Sequence, residues 1–163
     1  MSLSEKCKQV RMLLTDVDGV LTDGKLYYDS SGECMKAFNV KDGLICNQLY
    51  EQNIEMGIIT GRLSKIVEKR AEELNINTVF QNQKDKTEAL YIILHKNGLK
   101  HEEVAYIGDD INDLPILKSV GLAGSPSDAV DEVKEVVHFV CNTKGGSGAF
   151  REFAELILSY KSI

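Results

Sequence analysis

Short apolar runs alternate along this chain with longer segments in which apolar residues recur every three or four positions. The segment 63–74 shows the second pattern most clearly, with one apolar helix face formed by Leu63, Ile66, Val67, Ala71 and Leu74. The apolar runs predict strands at 11–15, 55–60, 78–80, 104–107, 121–123 and 136–140, and the periodic segments predict helices at 42–52, 63–74, 84–97, 111–119, 127–135 and 149–160. Strands alternating with helices are typical of parallel βαβ units. We therefore predict an α/β fold, a three-layer Rossmann-like sandwich with a parallel central sheet, and a single domain over residues 1–163.

One segment departs from this alternation. Residues 24–38 carry aromatic side chains on both sides of the turn sequence Asp29-Ser30-Ser31-Gly32, and this pattern predicts a β-hairpin. Such a hairpin could be an ordinary surface feature. It follows the first predicted strand and two aspartates at the end of that strand, so we expect it to project beside any site formed there.

The composition is that of an ordinary globular protein, with 43% hydrophobic and 27% charged residues and a formal net charge of −6. An acidic chain is poorly suited to nucleic acids and to anionic membranes, so we expect neither as a partner. No apolar run is long enough to span a bilayer, and the N-terminus lacks the apolar core of a signal peptide. The four cysteines form no Cys-x-x-Cys pair, which argues against zinc. Free thiols are typical of a reducing compartment, and we expect a cytoplasmic protein.

Two aspartates mark the end of the first predicted strand. Asp16 and Asp18 are spaced i, i+2 and are followed by Gly19, which permits a tight turn. Open parallel sheets bind their ligands beyond the carboxyl ends of the strands. Two carboxylates at that place can hold a hard cation, and one of them can attack phosphorus.

A possible phosphate cradle follows the predicted strand at 55–60, which ends in Thr60 and leads through Gly61 and Arg62 into a helix. A hydroxyl group and backbone amides at a helix N-terminus suit a phosphate group, although Thr60 could serve only as the helix cap. Lys86 stands near the start of another predicted helix, where a cation opposes the helix dipole. A lysine at that position indicates either an anionic ligand or a solvated side chain.

A second acidic group follows the predicted strand at 104–107, where Gly108 precedes Asp109 and Asp110, and Asp113 comes one helical turn later. Acidic residues commonly cap helices, but two adjacent carboxylates exceed what capping needs. All of these polar residues fall at strand ends or helix starts on one edge of one predicted sheet. Carboxylates that hold Mg²⁺, together with a lysine and a hydroxyl group, are complementary to a phosphoryl group.

This ordered set resembles the haloacid dehalogenase superfamily of phosphohydrolases. The resemblance rests on four motifs: Asp16-Val17-Asp18-Gly19-Val20, Thr60-Gly61-Arg62, Lys86, and Gly108-Asp109-Asp110 with Asp113. It implies that Asp16 is the nucleophile, which forms an aspartyl-phosphate, and that Asp18 is the acid/base. It also implies that Thr60 and Lys86 complete the catalytic set.

The same resemblance implies Mg²⁺ as the cofactor. Its ligands would be the Asp16 carboxylate, the Asp18 backbone carbonyl and the Asp109 carboxylate. Asp110 and Asp113 would support these ligands indirectly.

The chain has no room for a cap domain beside this site. The segments between Asp18 and Thr60 and between Thr60 and Lys86 are each shorter than the roughly 50 residues that a domain needs. Residues 36–43 and 145–152 resemble the capless branch that contains 3-deoxy-D-manno-octulosonate 8-phosphate phosphatase and also phosphatases of nine-carbon keto-sugar acids. That resemblance implies a homotetramer in which neighbouring subunits close each active site, and a substrate that is the terminal phosphate ester of a 2-keto-3-deoxy sugar acid. The residues implied to contact this substrate are Asp18, Asn39, Val40, Lys41, Asp42, Gly43, Gly61, Arg62, Arg70 and Lys86.

One position departs from the octulosonate-specific members of that branch. The resemblance predicts an arginine four residues after Gly43, where this chain has Asn47. A phosphatase of nine-carbon acylneuraminate or ketodeoxynononate 9-phosphates is therefore an alternative. A non-catalytic assembly domain, like the one fused to sialate cytidylyltransferases, is another alternative. A third is a phospho-accepting receiver domain, which uses a strand-end aspartate and Mg²⁺ but lacks the second aspartate.

Overall fold

A parallel sheet of six strands forms the centre of the structure, a computed structural model that describes residues 1–161. Its strands are β1 (Met12–Thr15), β4 (Glu55–Ile59), β5 (Thr78–Phe80), β6 (Val104–Ile107), β7 (Leu122–Ser125) and β8 (Phe139–Val140), and a separate hairpin contains β2 (Tyr27–Asp29) and β3 (Gly32–Met35). The helices are α1 (Leu3–Gln9), α2 (Val40–Glu51), α3 (Lys65–Glu73), α4 (Lys86–Asn97), α5 (Leu114–Leu117), α6 (Asp131–Lys134) and α7 (Ala149–Lys161). The strand order in the sheet is β5-β4-β1-β6-β7-β8.

The strands bury apolar side chains on both faces of the sheet. Leu13 of β1 and Ile58 of β4 pack in the layer that contains α1, α2, α3 and α7. Met12 and Leu14 of β1, with Tyr106 of β6, pack in the opposite layer, against α4, α5 and α6. Successive side chains of a strand point to opposite faces, so one short run serves both layers. The three-layer α/β fold is therefore confirmed.

Capping side chains determine where three of the predicted helices begin. Asn39, Ser64 and Asp85 each accept a hydrogen bond from a backbone amide in the first turn of α2, α3 and α4, at 2.9, 3.4 and 2.9 Å. The predicted helices at 42–52, 63–74 and 84–97 are thus present, but their starts lie two residues away from the predicted ones. Sequence periodicity does not locate a cap, which is why these boundaries differ.

Other predicted elements are wrong over much of their length. The helix at 111–119 is a 3-10 turn (Ile111–Asp113) followed by the single turn of α5, which contains Pro115, a residue without an amide donor. The helix at 127–135 reduces to α6, because the backbone of Val130 is extended. The strand at 136–140 reduces to β8, because the amides of Val136 and Val137 continue the preceding helical turn. Helix α1, which begins with a capping box between Ser2 and Glu5, was not predicted.

The hairpin forms as predicted, with β2 and β3 antiparallel. Asp29 stabilises its turn by accepting hydrogen bonds from the amide and the hydroxyl group of Ser31, at 2.7 and 2.6 Å. Between Asp18 and Thr60 the chain forms the hairpin, α2 and β4, and between Thr60 and Lys86 it forms α3 and β5, so these segments contain no cap domain.

Among residues 1–161, no helix combines the length and the apolar character needed to cross a membrane.

Candidate active site

The candidate site lies beyond the carboxyl ends of three neighbouring strands. β1 lies between β4 and β6, and the three strands are paired in parallel register up to their last residues. Asp16 follows β1, Thr60 follows β4, and Asp109 follows β6 after one glycine. Lys86, the first residue of α4, reaches the same edge of the sheet. The sheet topology therefore brings together side chains that are far apart in the sequence.

A buried network surrounds the ammonium group of Lys86. Its Nζ donates hydrogen bonds to Oδ2 of Asp16 and Oδ1 of Asp113, both at 2.6 Å, and to the hydroxyl group of Tyr106 at 3.1 Å. The Tyr106 hydroxyl in turn donates to Oδ1 of Asp113 at 2.7 Å. Lys86 is 2% exposed and Asp113 is fully buried. Such a buried ammonium group requires this set of acceptors, and it fixes the Asp16 carboxylate in one place.

The network holds more negative charge than Lys86 compensates. Burial and the nearby Asp113 carboxylate raise the pKa of Asp16 to about 6, although Lys86 acts in the opposite direction. Burial works to lower the pKa of Lys86, but the Asp16 and Asp113 carboxylates outweigh it, and the pKa lies above its ordinary value. A site with this balance of charge favours a bound cation.

Asp109 offers the clearest free ligand atom for such a cation. Its Oδ1 is buried and has no hydrogen-bond partner among the described residues. Burial, together with the Asp16 and Asp113 carboxylates, raises its pKa to about 8. Carboxylate oxygens of Asp16, Asp109 and Asp113 lie within 4.8 Å of one another. An oxygen donor set of this kind suits a divalent cation such as Mg²⁺.

Asp113 differs from Asp109 because both of its oxygens accept hydrogen bonds, two of them from the loop that carries Asp109. Oδ1 accepts from Lys86 and Tyr106, and Oδ2 accepts from the backbone amides of Asp109 and Asp110, at 3.0 and 3.3 Å. Asp110 itself caps the 3-10 turn by accepting the Ile111 amide at 2.7 Å. Asp113 therefore orients the loop that carries Asp109, a supporting position like the one expected from the sequence.

The side chain of Asp18 contacts the hairpin segment rather than the Lys86 network. Its Oδ1 accepts a short hydrogen bond from the ammonium group of Lys36, the residue that follows β3, and Lys36 also lies 2.9 Å from Oε1 of Glu33. No role was predicted from the sequence for Lys36, Glu33 or Tyr106. Lys36 lies within the segment 36–43 used for the family resemblance, but nothing in the local pattern shows that it reaches Asp18.

The proposed phosphate cradle lies beside this contact. Thr60 is 2% exposed at the end of β4, where its amide donates to the Phe80 carbonyl at 2.9 Å. Arg62 is exposed, and its guanidinium group contacts both the hydroxyl group and the ring of Tyr28 on the hairpin. Its Nε lies 3.8 Å from Oδ2 of Asp18. Thr60, Gly61 and Arg62 thus line the side of the site that faces the hairpin.

The remaining sequence-predicted substrate residues form a second group at the start of α2. Val40 is 70% exposed and Lys41 is exposed, whereas Asp42 is buried and accepts the Arg151 amide at 3.0 Å. Gly43 packs closely against the guanidinium group of Arg70, which lies over the ring of Phe38 at 5.6 Å. Asn39 donates from Nδ2 to the Gly146 carbonyl at 3.2 Å. Asp42, Gly43 and Arg70 are therefore placed between helices, apart from the Lys86 network.

The loop that carries the two aspartates rests on the glycine-rich segment 145–148. The Gly146 amide donates to the Val20 carbonyl at 2.9 Å. A Cβ atom on Gly145 would lie 1.9 Å from the carbonyl oxygen of Gly19, so only glycine allows this approach of two backbones. Thr22 completes the turn by accepting the amides of Gly19 and Gly24. The position of the aspartates thus depends on a contact from the far end of the chain.

Aspartates follow β1 and β6, a threonine follows β4, and a buried lysine lies between them. This arrangement defines a hydrolase of the haloacid dehalogenase type. A family model described as "haloacid dehalogenase-like hydrolase" matches residues 75–152, which contain Lys86 and the Asp109 loop. The chain is 40% identical over 156 residues to 3-deoxy-D-manno-octulosonate 8-phosphate phosphatase KdsC of Haemophilus influenzae, covering 96% of this chain and 87% of that protein. It is 42% identical over 154 residues to the KdsC protein of Yersinia pestis, covering 94% of this chain and 82% of that protein.

Solved structures show the same relationship. A 3-deoxy-D-manno-octulosonate 8-phosphate phosphatase from Moraxella catarrhalis, in complex with magnesium ion, phosphate ion and KDO, superposes with a TM-score of 0.94 at 39% identity over 98% of this chain and 91% of that chain. A cobalt-bound deoxy-D-mannose-octulosonate 8-phosphate phosphatase from Haemophilus influenzae gives a TM-score of 0.94 at 39% identity over 96% and 92% of the two chains. The chain therefore belongs to the KdsC family of haloacid dehalogenase-like hydrolases and is a phosphoric monoester hydrolase.

Proposed function

We propose that this chain is a Mg²⁺-dependent phosphatase acting on a 2-keto-3-deoxy sugar acid of the 3-deoxy-D-manno-octulosonate 8-phosphate class. It removes the terminal phosphate through an aspartyl-phosphate on Asp16. The observation that carries this proposal is the buried Asp16 carboxylate, held 2.6 Å from Lys86 beside an unpartnered oxygen of Asp109. Relatives named for this phosphatase, at 40 and 42% identity, support the class of substrate.

The first half of the reaction transfers the phosphoryl group to Asp16. A carboxylate oxygen of Asp16 forms a bond to phosphorus, and the ester P–O bond breaks with its electron pair leaving on the alcohol oxygen. Asp18 donates a proton to that oxygen, so that an alcohol departs instead of an alkoxide. Lys86 offsets negative charge, and the hydroxyl group of Thr60 with the amide of Gly61 orients the phosphoryl oxygens.

The second half restores the nucleophile. Asp18, now ionised, takes a proton from a water molecule as its oxygen attacks phosphorus. The bond between Asp16 and phosphorus breaks, and inorganic phosphate leaves. Each aspartate thus returns to its starting state.

The residues that would hold Mg²⁺ are Asp16 and Asp109, through their carboxylates, and Asp18, through its backbone carbonyl. When bound, the cation supplies positive charge that lowers the repulsion between the phosphate and the carboxylates. The crowding of Asp16 and Asp109 and the unpartnered oxygen of Asp109 support this assignment. Asp113 and Asp110 keep the Asp109 loop in position.

We infer that neighbouring subunits close the site in a homotetramer, and that the enzyme works in the cytoplasm as one domain. The segments beside the site contain no cap domain, and an open site would expose the aspartyl-phosphate to water. The exposed Arg62, Val40 and Lys41 are proposed to contact the substrate. The remaining proposed substrate contacts are Asp18, Asn39, Asp42, Gly43, Gly61, Arg70 and Lys86.

One specific observation favours a second substrate class. Asn47 is exposed on α2 at the position where the resemblance predicts an arginine. Without that cation, a nine-carbon acylneuraminate or ketodeoxynononate 9-phosphate is the second candidate. The two substrates have the same scissile bond, and the roles of Asp16 and Asp18 are unchanged.

The test is phosphate release with Mg²⁺ from the eight-carbon and nine-carbon esters and from simple sugar phosphates. We expect the eight-carbon ester to give the highest kcat/KM, and Asp16→Asn to lower it by about 10³-fold or more. The matched control is Asp131→Asn, at a side chain that is 90% exposed and paired with Lys134, which should leave the rate unchanged.

Other outcomes identify the alternatives. Preference for the nine-carbon ester would transfer the proposal to that substrate, and a flat profile would contradict a sugar-acid phosphatase. A phosphoryl group that persists on Asp16 in intact-mass measurements would indicate a receiver domain. Release of no phosphate from any ester would indicate a non-catalytic assembly domain.

A further inference from the structure

The ammonium group of Lys36 is buried against Asp18 instead of facing solvent. The Lys36 side chain is 1% exposed, whereas the Asp18 side chain is 19% exposed. Its Nζ donates to Oδ1 of Asp18 and lies 2.9 Å from Oε1 of Glu33. A lysine rarely gives up its hydration in this way unless acceptors surround the ammonium group. The enclosed ammonium group therefore has no open side for a substrate, and any influence on the reaction passes through Asp18.

The hairpin that precedes this lysine is anchored at two points. Glu33 of β3 accepts from Lys36 and also from the hydroxyl group of Ser64, the cap of α3. Tyr28 of β2 contacts the guanidinium group of Arg62. Both contacts join the hairpin to the loop that follows β4, so the position of Lys36 is determined from outside the loop that carries Asp18.

The two carboxylate oxygens of Asp18 have different surroundings. Oδ1 is held by Lys36. Within residues 1–161, Oδ2 accepts no hydrogen bond, and Nε of Arg62 lies 3.8 Å from it, beyond hydrogen-bond distance. Oδ2 is therefore the oxygen that is free to exchange a proton.

We propose that Lys36 is the positioning residue for the acid/base Asp18: it holds Oδ1 and directs Oδ2 toward the leaving oxygen. The inference rests on the proposed phosphatase function. In the first half of the reaction the proton moves from Oδ2 to the alcohol oxygen as the P–O bond breaks. In the second half the proton of the attacking water moves to Oδ2. Lys36 keeps its own proton throughout and touches no reacting atom.

The test compares leaving groups that need a proton with leaving groups that do not. Values of kcat and KM are measured for phosphate esters that range from p-nitrophenyl phosphate, whose anion departs unprotonated, through phenyl phosphate to the eight-carbon sugar ester. For Lys36→Met we expect kcat to fall about tenfold or more on the sugar ester and less than about threefold on p-nitrophenyl phosphate. KM should change little. Lys36→Arg, which keeps a charged donor, should return the sugar ester toward the wild-type rate.

The comparison does not depend on how much of a variant folds, because all esters are measured on one preparation and the ratio of rates is the readout. Lys25→Met is the matched control, since Lys25 belongs to the same segment, is 71% exposed and pairs with Asp23. It should keep the wild-type ratio.

Two results would overturn the inference while leaving the proposed function intact. An equal loss by Lys36→Met on every ester would show a purely structural ion pair. A change in KM alone would show a substrate contact. A wild-type protein that hydrolyses none of the esters would overturn the proposed function itself, and the inference with it.

Discussion

Asp42 provides a test of how this fold accommodates a buried carboxyl group. Asp42 is 4% exposed, its Oδ1 accepts the Arg151 amide, and its Oδ2 has no partner among the described residues. Burial raises its pKa from 3.8 to about 6, although that amide and the charges of Arg70 and Arg151 act in the opposite direction. We expect Asp42→Asn to stabilise the protein above pH 6, because the neutral amide still accepts from Arg151 and carries no buried charge.

The magnitude follows from the pKa. A rise from 3.8 to about 6 corresponds to a loss of about 3 kcal/mol in the free energy of unfolding when the Asp42 carboxyl is ionised. Because the pKa of Asp42 is raised in the folded state, proton binding to Asp42 stabilises the folded protein. This stabilisation is complete below pH 3.8 and is lost as the pH rises through about 6. Between pH 8 and pH 5 the wild type should therefore recover about 1.4 kcal/mol relative to Asp42→Asn, which binds no proton there.

Urea unfolding at several pH values between 5 and 8, with a chelator present, measures this difference. The active-site carboxyl groups titrate in both proteins, so their contribution cancels in the comparison. Asp131→Asn, at an exposed side chain, should instead give a curve parallel to that of the wild type. A difference between wild type and Asp42→Asn that stays constant over this pH range would refute the reasoning.

Two further predictions concern the buried network. Tyr106→Phe removes the hydroxyl group that bonds to Asp113 and Lys86, and it should lower the free energy of unfolding by about 1.5–3 kcal/mol in urea unfolding; an unchanged value would contradict the network. Magnesium at about 100 times its dissociation constant should add about 2.7 kcal/mol to the stability of the wild type, seen as a rise in Tm of roughly 5–10 °C. The Asp109→Asn variant should show no such rise in Tm on addition of magnesium. Without metal it should be more stable than the wild type, because the substitution removes one of several crowded carboxylates. A rise in Tm equal to that of the wild type would exclude Asp109 as a ligand.

The arrangement of the strand ends could be predicted from the sequence because the relevant signals are local. Each of the apolar runs before Asp16, Thr60 and Asp109 is too short for a helix and ends in a polar residue. In a parallel sheet, all strand ends of the same direction meet at one edge. Those two facts are sufficient to place the three side chains together, although the roles assigned to them stay predictions.

The partners of those side chains could not be predicted in the same way. Tyr106 lies inside an apolar strand, where an aromatic ring is ordinary core, and the role of its hydroxyl group depends on Asp113 in a 3-10 turn. The burial of Lys36 depends on how far the hairpin folds back over Asp18, and no periodicity encodes that direction. Helix α1 had a local signal, the capping box of Ser2 and Glu5, but seven residues are too few for a periodic pattern.

The contact of the Gly145 and Gly146 backbone with the loop after β1 also bears on how the enzyme is made. The aspartates are synthesised early, whereas the segment they rest on emerges from the ribosome only after every strand of the central sheet. A pairing so distant in sequence closes a long loop and forms late in folding. A nascent or C-terminally truncated chain would therefore carry both aspartates without the support that holds their loop. Any activity that depends on these aspartates therefore requires that the segment 145–148 has been synthesised and has folded back onto their loop.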